Sequence, residues 1–231
     1  MKVVGIIGGI GPESTIVYYR SLVAAYREHT QDGSYPPILI NSIDLKKMLD
    51  LIEGKKLVEA TEYLAGEVQR LGQAGAELGL LAANTPHIVF DELRRRSPIP
   101  LVSIVEAACE AAKGLGLKRL GLFGTRLTMQ GRFYRDVFDR EGIALAVPEP
   151  DEQAYVHDKY MNELVRGLVL PETRKGLLTI ADRLKRDEGI QGLILGGTEL
   201  SLILREVDAI EQGMPFLDTT KIHVQNVLSR L

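Results

Sequence analysis

Short apolar runs alternate with longer amphipathic stretches along the chain. Residues 3–7, Val-Val-Gly-Ile-Ile, are compact, mostly β-branched and followed by glycines, which predicts a buried strand. Residues 13–27 then place apolar side chains at helical spacing. Further strands are predicted at 37–40, 78–81, 101–104, 119–123, 143–147 and 193–195. Helices are predicted at 56–71, which Gly72 and Gly75 close, and in the segment opened by Pro86. Others follow residue 123 and cover 152–167, 172–186 and 219–231. Strands that alternate with helices of this length imply crossover connections, hence an α/β fold with mostly parallel sheets.

The pattern contains an internal echo. Gly5-Ile6-Ile7-Gly8-Gly9 returns 116 residues later as Gly121-Leu122-Phe123-Gly124-Thr125. Leu81-Ala82-Ala83-Asn84-Thr85 returns 114 residues later as Leu195-Gly196-Gly197-Thr198-Glu199. Two features recurring in the same order at nearly the same spacing predict two pseudo-symmetric, flavodoxin-like halves with a ligand cleft between them. Residues 1–104 form the first half, joined by a C-terminal helix at about 212–231, and residues 105–211 form the second.

Composition narrows the function classes. Of 231 residues, 45% are apolar, so a sizeable core is available, and the net charge is −3. The longest basic run is Arg94-Arg95-Arg96, with no basic stripe of the kind a nucleic-acid binder carries. A single cysteine, Cys109, excludes an intrachain disulfide and a Cys-rich metal site. It lies in an apolar helical stretch and reads as a small buried hydrophobe. The first residues run straight into a strand pattern with no long apolar region, so neither a signal peptide nor a membrane span is expected, and a cytoplasmic location follows by default.

Open parallel sheets bind ligands outside the carboxyl ends of their strands. Four loops lie there: Gly8-Gly9-Ile10-Gly11-Pro12, Asn84-Thr85-Pro86-His87, Gly124-Thr125-Arg126-Leu127-Thr128 and Gly196-Gly197-Thr198-Glu199. Each leads into a helix N-terminus, which favours anions. The first loop is not a dinucleotide fingerprint, because its third glycine is replaced by Ser14 and Pro12 removes an amide. No glycine-lysine-serine/threonine triplet occurs, so there is no P-loop. Asn84, Thr85 and Thr198 form a candidate anion cradle, the competing role being helix caps. His87 is either a satisfied helix-start histidine or a site residue. Glu199 is either an acid favouring the helix dipole or a site residue. Thr128 caps the helix carrying Phe133 and Tyr134 or contacts ligand. Lys46 and Lys47 are solvated unless one reaches an acidic substrate, and Arg166 either complements its helix dipole or binds ligand.

The segments GGIGPES, INSIDL, AANTPH, GLFGTRLTMQGRFYRD, GGTEL and FLDTTKIH, in this order, resemble the aspartate/glutamate racemase family over nearly the whole chain. The resemblance implies two pseudo-symmetric α/β domains around a cleft, no cofactor, a small carboxylate or amino-acid ligand and a homodimer. It implies that Asn84, Thr85 and Thr198, with Gly11 and Thr128, hold the substrate carboxylate. It also implies that Lys47 and Arg166 hold a distal carboxylate. Members of the family carry a thiol in each half, one as base and the other as acid. Here those positions are Ala83 and Gly197, and neither side chain carries a proton. Three readings follow. The first is a racemase-like isomerase or another enzyme with altered chemistry, with Glu199, His87, Asp44 or a bound water moving the proton. The second is a catalytically silent carboxylate-binding or sensor protein. The third is an engineered double-thiol variant. Restoring cysteine at both positions is expected to create or raise α-proton exchange where the binding frame still aims an amino acid between them.

Overall fold

The computed structural model describes residues 1–30 and 32–231. The chain divides into two compact units: Met1–Ile104 with His223–Leu231, and Val105–Ile222. The first unit contains β1 (Val4–Gly8), β2 (Ile38–Ser42), β3 (Leu78–Leu81) and β4 (Leu101–Val102), all parallel, in the order β2-β1-β3-β4. The second contains β5 (Arg119–Gly124), β6 (Ala144–Ala146), β7 (Gly192–Gly196) and β8 (Phe216–Asp218), in the order β6-β5-β7-β8. Both sheets repeat one doubly wound strand order, as the sequence echo anticipates.

The register carries the repeat down to single residues. Ile7 pairs with Leu81 in the first sheet, and Phe123 pairs with Leu195 in the second. The offsets of the echo connect these two pairs. Ala83 and Gly197 therefore each stand two residues beyond equivalent rungs. Helices on both faces explain why β1, β3 and β7 are buried throughout and read as unbroken apolar runs. The edge strand β2 is only partly covered.

Each sheet is held by helices laid against it. Tyr18, Leu22 and Ala25 project at three- and four-residue spacing from the helix Pro12–Thr30 onto Val4, Ile6, Leu78, Leu80 and Val102. Val224 and Val227 complete that cluster. In the second unit Leu177, Ile180, Ala181 and Leu184 of the helix Pro171–Glu188 pack with Phe123, Leu193 and Leu195. Each such fully buried leucine or isoleucine contributes about 1.5–3 kcal/mol. A glycine ends both central strands because a threonine presses on it. A Cβ on Gly8 would stand 2.5 Å from Thr15 Cγ2, and one on Gly124 would stand 2.8 Å from Thr128 Cγ2.

Several elements differ from the sequence expectation. The helix Leu45–Glu53 follows β2, with Asp44 accepting the amides of Lys46 and Lys47 as its cap. The short helix Glu206–Gln212 also lies in a stretch that the pattern leaves almost blank. The run 216–218 is a strand of the second sheet rather than part of a helix returning to the first. The expected strand 101–104 stops at Val102, because the helix Ile104–Gly114 begins at once. The expected helix 152–167 is Pro150–Asn162 followed by a single turn, Leu164–Arg166, which Gly167 ends in a left-handed conformation at φ 75°. Among the described residues, no helix is long and apolar enough to cross a membrane.

Candidate functional site

In each sheet the strand order reverses between two central strands, which marks the loops after β1 and β3, and after β5 and β7, as ligand positions. The loop after β1 turns through Gly9 and Gly11, whose φ angles of +79° and +82° favour glycine. Gly11 is partly exposed at its tip. After β3, Ala83 and Asn84 are buried and Thr85 is half-buried where a short 3₁₀ helix, Thr85–Val89, begins.

His87 is tied into the first unit by both nitrogens. Its Nδ1–H donates to the Ala83 carbonyl at 3.0 Å, and Nε2 accepts from the Ile104 amide at 3.2 Å. The ring stacks on Phe90 with centroids 4.6 Å apart. Burial, helped by neighbouring His223, pushes its pKa down to about 3. The imidazole is therefore neutral and leaves no nitrogen for proton transfer, which is the geometry of a satisfied helix-start histidine. Asp44 is likewise engaged as a helix cap. Lys47 is exposed, with its ammonium 4.0 Å from the centroid of the Tyr63 ring.

In the second unit, Thr128 is fully buried against Gly124 and Gly196. It does not cap the helix carrying Phe133 and Tyr134, Arg132–Arg140, whose cap position is Gly131. It lies within the helix Arg126–Gln130, which Thr125 caps by accepting the Thr128 amide at 3.2 Å. Arg166 is exposed at the end of its turn. After β7, Gly197, Thr198 and Glu199 are all buried. The Thr198 hydroxyl donates to Glu199 Oε2 at 2.7 Å.

One residue of this group escaped sequence reasoning. Tyr160, on the helix Pro150–Asn162, donates its hydroxyl to the same Glu199 oxygen. Burial, then the charge of Glu199, raises the Tyr160 pKa well above the usual phenol value, so the hydroxyl stays protonated. The ring also fills the space that a Cβ on Gly197 would enter. A faint signal was available: Tyr160 follows Val156 by four residues on the buried face of its helix, and a buried tyrosine requires a partner for its hydroxyl.

Residues 7–227 match the model of the Asp/Glu/Hydantoin racemase family. The chain belongs to this family. The broad specificity amino-acid racemase RacX of Bacillus subtilis (strain 168) is 24% identical, over 98% of this chain and 96% of that protein. A Yersinia pestis chain assigned as an Asp/Glu racemase superposes with a TM-score of 0.91 at 30% identity, covering 100% of this chain and 99% of its own. An aspartate racemase homologue from Pyrococcus horikoshii OT3 gives 0.87 at 33% identity, covering 100% and 99%.

Within this racemase family frame, the two positions expected to carry thiols hold Ala83 and Gly197. Cys109 lies elsewhere, buried in the helix Ile104–Gly114. Its surroundings push its pKa up to about 11, with burial the larger cause and Glu141 the next. It is a neutral thiol and a poor nucleophile. Among the described residues no cluster of three or more His, Cys, Asp or Glu side chains is placed to hold a metal ion.

Proposed function

We propose that this racemase-family chain binds a small amino acid or dicarboxylate at its strand-end loops and acts on it without a pair of thiols. Asn84, Thr85 and Thr198 hold the ligand carboxylate, Gly11 and Thr128 shape the adjoining loops, and Lys47 and Arg166 are the cations for a distal carboxylate. No cofactor takes part, and the protein works in the cytoplasm as a homodimer. The observation that carries this reading is the register. Ala83-Asn84-Thr85 and Gly197-Thr198-Glu199 follow equivalent rungs of two sheets with one strand order, which supports a matched pair of ligand loops at these positions.

Calorimetric titration with L-aspartate, L-glutamate and succinate tests it. Asn84→Ala is expected to weaken binding by about 0.5–1.5 kcal/mol, the value of an ordinary hydrogen bond. Thr198→Val is expected to weaken binding by a similar amount and, because it takes a donor from buried Glu199, to destabilise the fold as well. Unchanged affinity in both variants moves the site elsewhere. A silent binding protein is the second reading, favoured by the locked, neutral His87 and by the absence of an ionisable atom at Ala83 and Gly197. Loss of the α-proton signal in D₂O separates it from an enzyme.

A further inference from the structure

The position of the second thiol is occupied rather than vacant. The ring of Tyr160 stands where a side chain on Gly197 would begin, and its hydroxyl is aimed at Glu199. Packing alone does not explain the arrangement. A phenylalanine would fill the same volume without a hydroxyl that needs a buried acceptor, and an apolar residue at 199 would avoid burying a carboxylate. Instead three polar groups, Tyr160, Thr198 and Glu199, converge beside the β7 switch-point loop, on the edge of a cluster that is otherwise apolar. Tyr160 is 8% exposed and Glu199 4%, so the pair is desolvated without being sealed. The first unit offers no matching device at Ala83, since the neighbouring His87 has both nitrogens engaged.

We propose that Tyr160 and Glu199 together replace the second-half thiol as a proton relay, giving this chain proton exchange on one face of a carbon acid only. The inference rests on the ligand-binding reading above. In the forward step the Cα–H bond breaks and the proton passes to the Tyr160 oxygen while the Tyr160 proton passes to the Glu199 carboxylate. The electron pair stays on the ligand and delocalises into its carboxyl or carbonyl group. The reverse step returns a proton to the same face from the Tyr160 hydroxyl, after that hydroxyl has exchanged with solvent, and Glu199 gives its proton back to the Tyr160 oxygen. Net chemistry is hydrogen exchange with retention of configuration. A carboxylate is a weaker base than a thiolate by about four pK units. Carbon acids more acidic than a free amino acid are therefore the better substrates for this relay.

The test uses the full-length protein in D₂O with aspartate, glutamate and alanine and the corresponding cyclic ureides. Proton NMR follows loss of the α-hydrogen, chiral chromatography follows configuration, and calorimetry follows binding. The expected result is deuterium incorporation faster than loss of enantiomeric excess, by tenfold or more after subtraction of the uncatalysed rates. Glu199→Gln should abolish it. Tyr160→Phe, which keeps the ring against Gly197, should lower it at least tenfold with ligand affinity little changed, while the melting temperature falls because buried Glu199 loses a donor. Exchange that keeps pace with racemisation overturns the proposal, as does exchange that survives both substitutions. Binding without exchange overturns the relay and leaves the binding reading intact. Neither binding nor exchange overturns both.

Discussion

The ring of Tyr160 occupies the space that any side chain at Gly197 would need. This makes glycine a packing requirement, separate from any chemistry lost with a thiol. Gly197→Ala is expected to destabilise the protein by about 1–3 kcal/mol, the usual range for overpacking a filled core. Gly197→Cys should cost at least as much. Restoring thiols at Ala83 and Gly197 is therefore not expected to restore two-sided exchange while Tyr160 is present, contrary to what the sequence suggests. Urea unfolding of Gly197→Ala, Tyr160→Ala and the double variant gives the coupling between the two positions. Strict additivity of the two effects would show that the ring and the glycine do not meet.

Acid should loosen the first unit before its carboxylates titrate. His87 and His223 are both buried, and their pKa values fall to about 3 and about 4, mainly through burial. In the unfolded chain each titrates near 6.5. The native state thus keeps them neutral, and their contribution is complete above about pH 6.5. It is lost as the pH falls towards the folded values, by up to about 2 kcal/mol for each histidine at pH 5. His223 donates through Nε2 to the Val102 carbonyl at 3.0 Å and accepts the Tyr18 hydroxyl through Nδ1 at 2.8 Å, so protonation also breaks the latter bond. Chemical denaturation at pH 7, 6 and 5 should show the decline, and His223→Gln should flatten it. Constant stability over this range would mean that the rings are hydrated.

Asp208 is fully buried and needs its cation. One carboxylate oxygen pairs with Arg174, and the other accepts the Arg205 amide at 2.7 Å. Arg174→Met is expected to cost about 2 kcal/mol, below the roughly 3–5 of a sealed pair, because the Arg174 side chain is 34% exposed. Arg174→Met combined with Asp208→Asn should recover part of that loss. Thermal unfolding of the single and double variants measures it, and a single variant as stable as the parent would show that Asp208 is satisfied in another way.

The sequence made the strands and the repeat legible because β1, β3 and β7 are buried and apolar throughout, β5 is so after Arg119, and β1, β5 and β7 end in glycine. It hid β8 and the helix Leu45–Glu53 for different reasons. β8 is three residues long, too short for any period to register. The helix buries only Met48 and Ile52, with Asp44 as its start signal. The site was half legible. Residues on the loops after β3 and β7 could be named because they are contiguous with strand ends. Tyr160 could not, because its part depends on a contact 39 residues away in sequence, and the pattern around it is that of an ordinary buried helix face. Tertiary packing likewise settled His87, whose partner Ile104 lies on another element.

The first unit borrows its last piece from the far end of the chain. Val224 and Val227 close its apolar cluster, and His223 anchors the same helix to β4. During synthesis the segment 1–104 leaves the ribosome with that wall of its core missing, while all four strands of the second sheet emerge before the wall is made. The half that begins first is therefore expected to finish last, waiting as a partly open intermediate until residues 223–231 emerge.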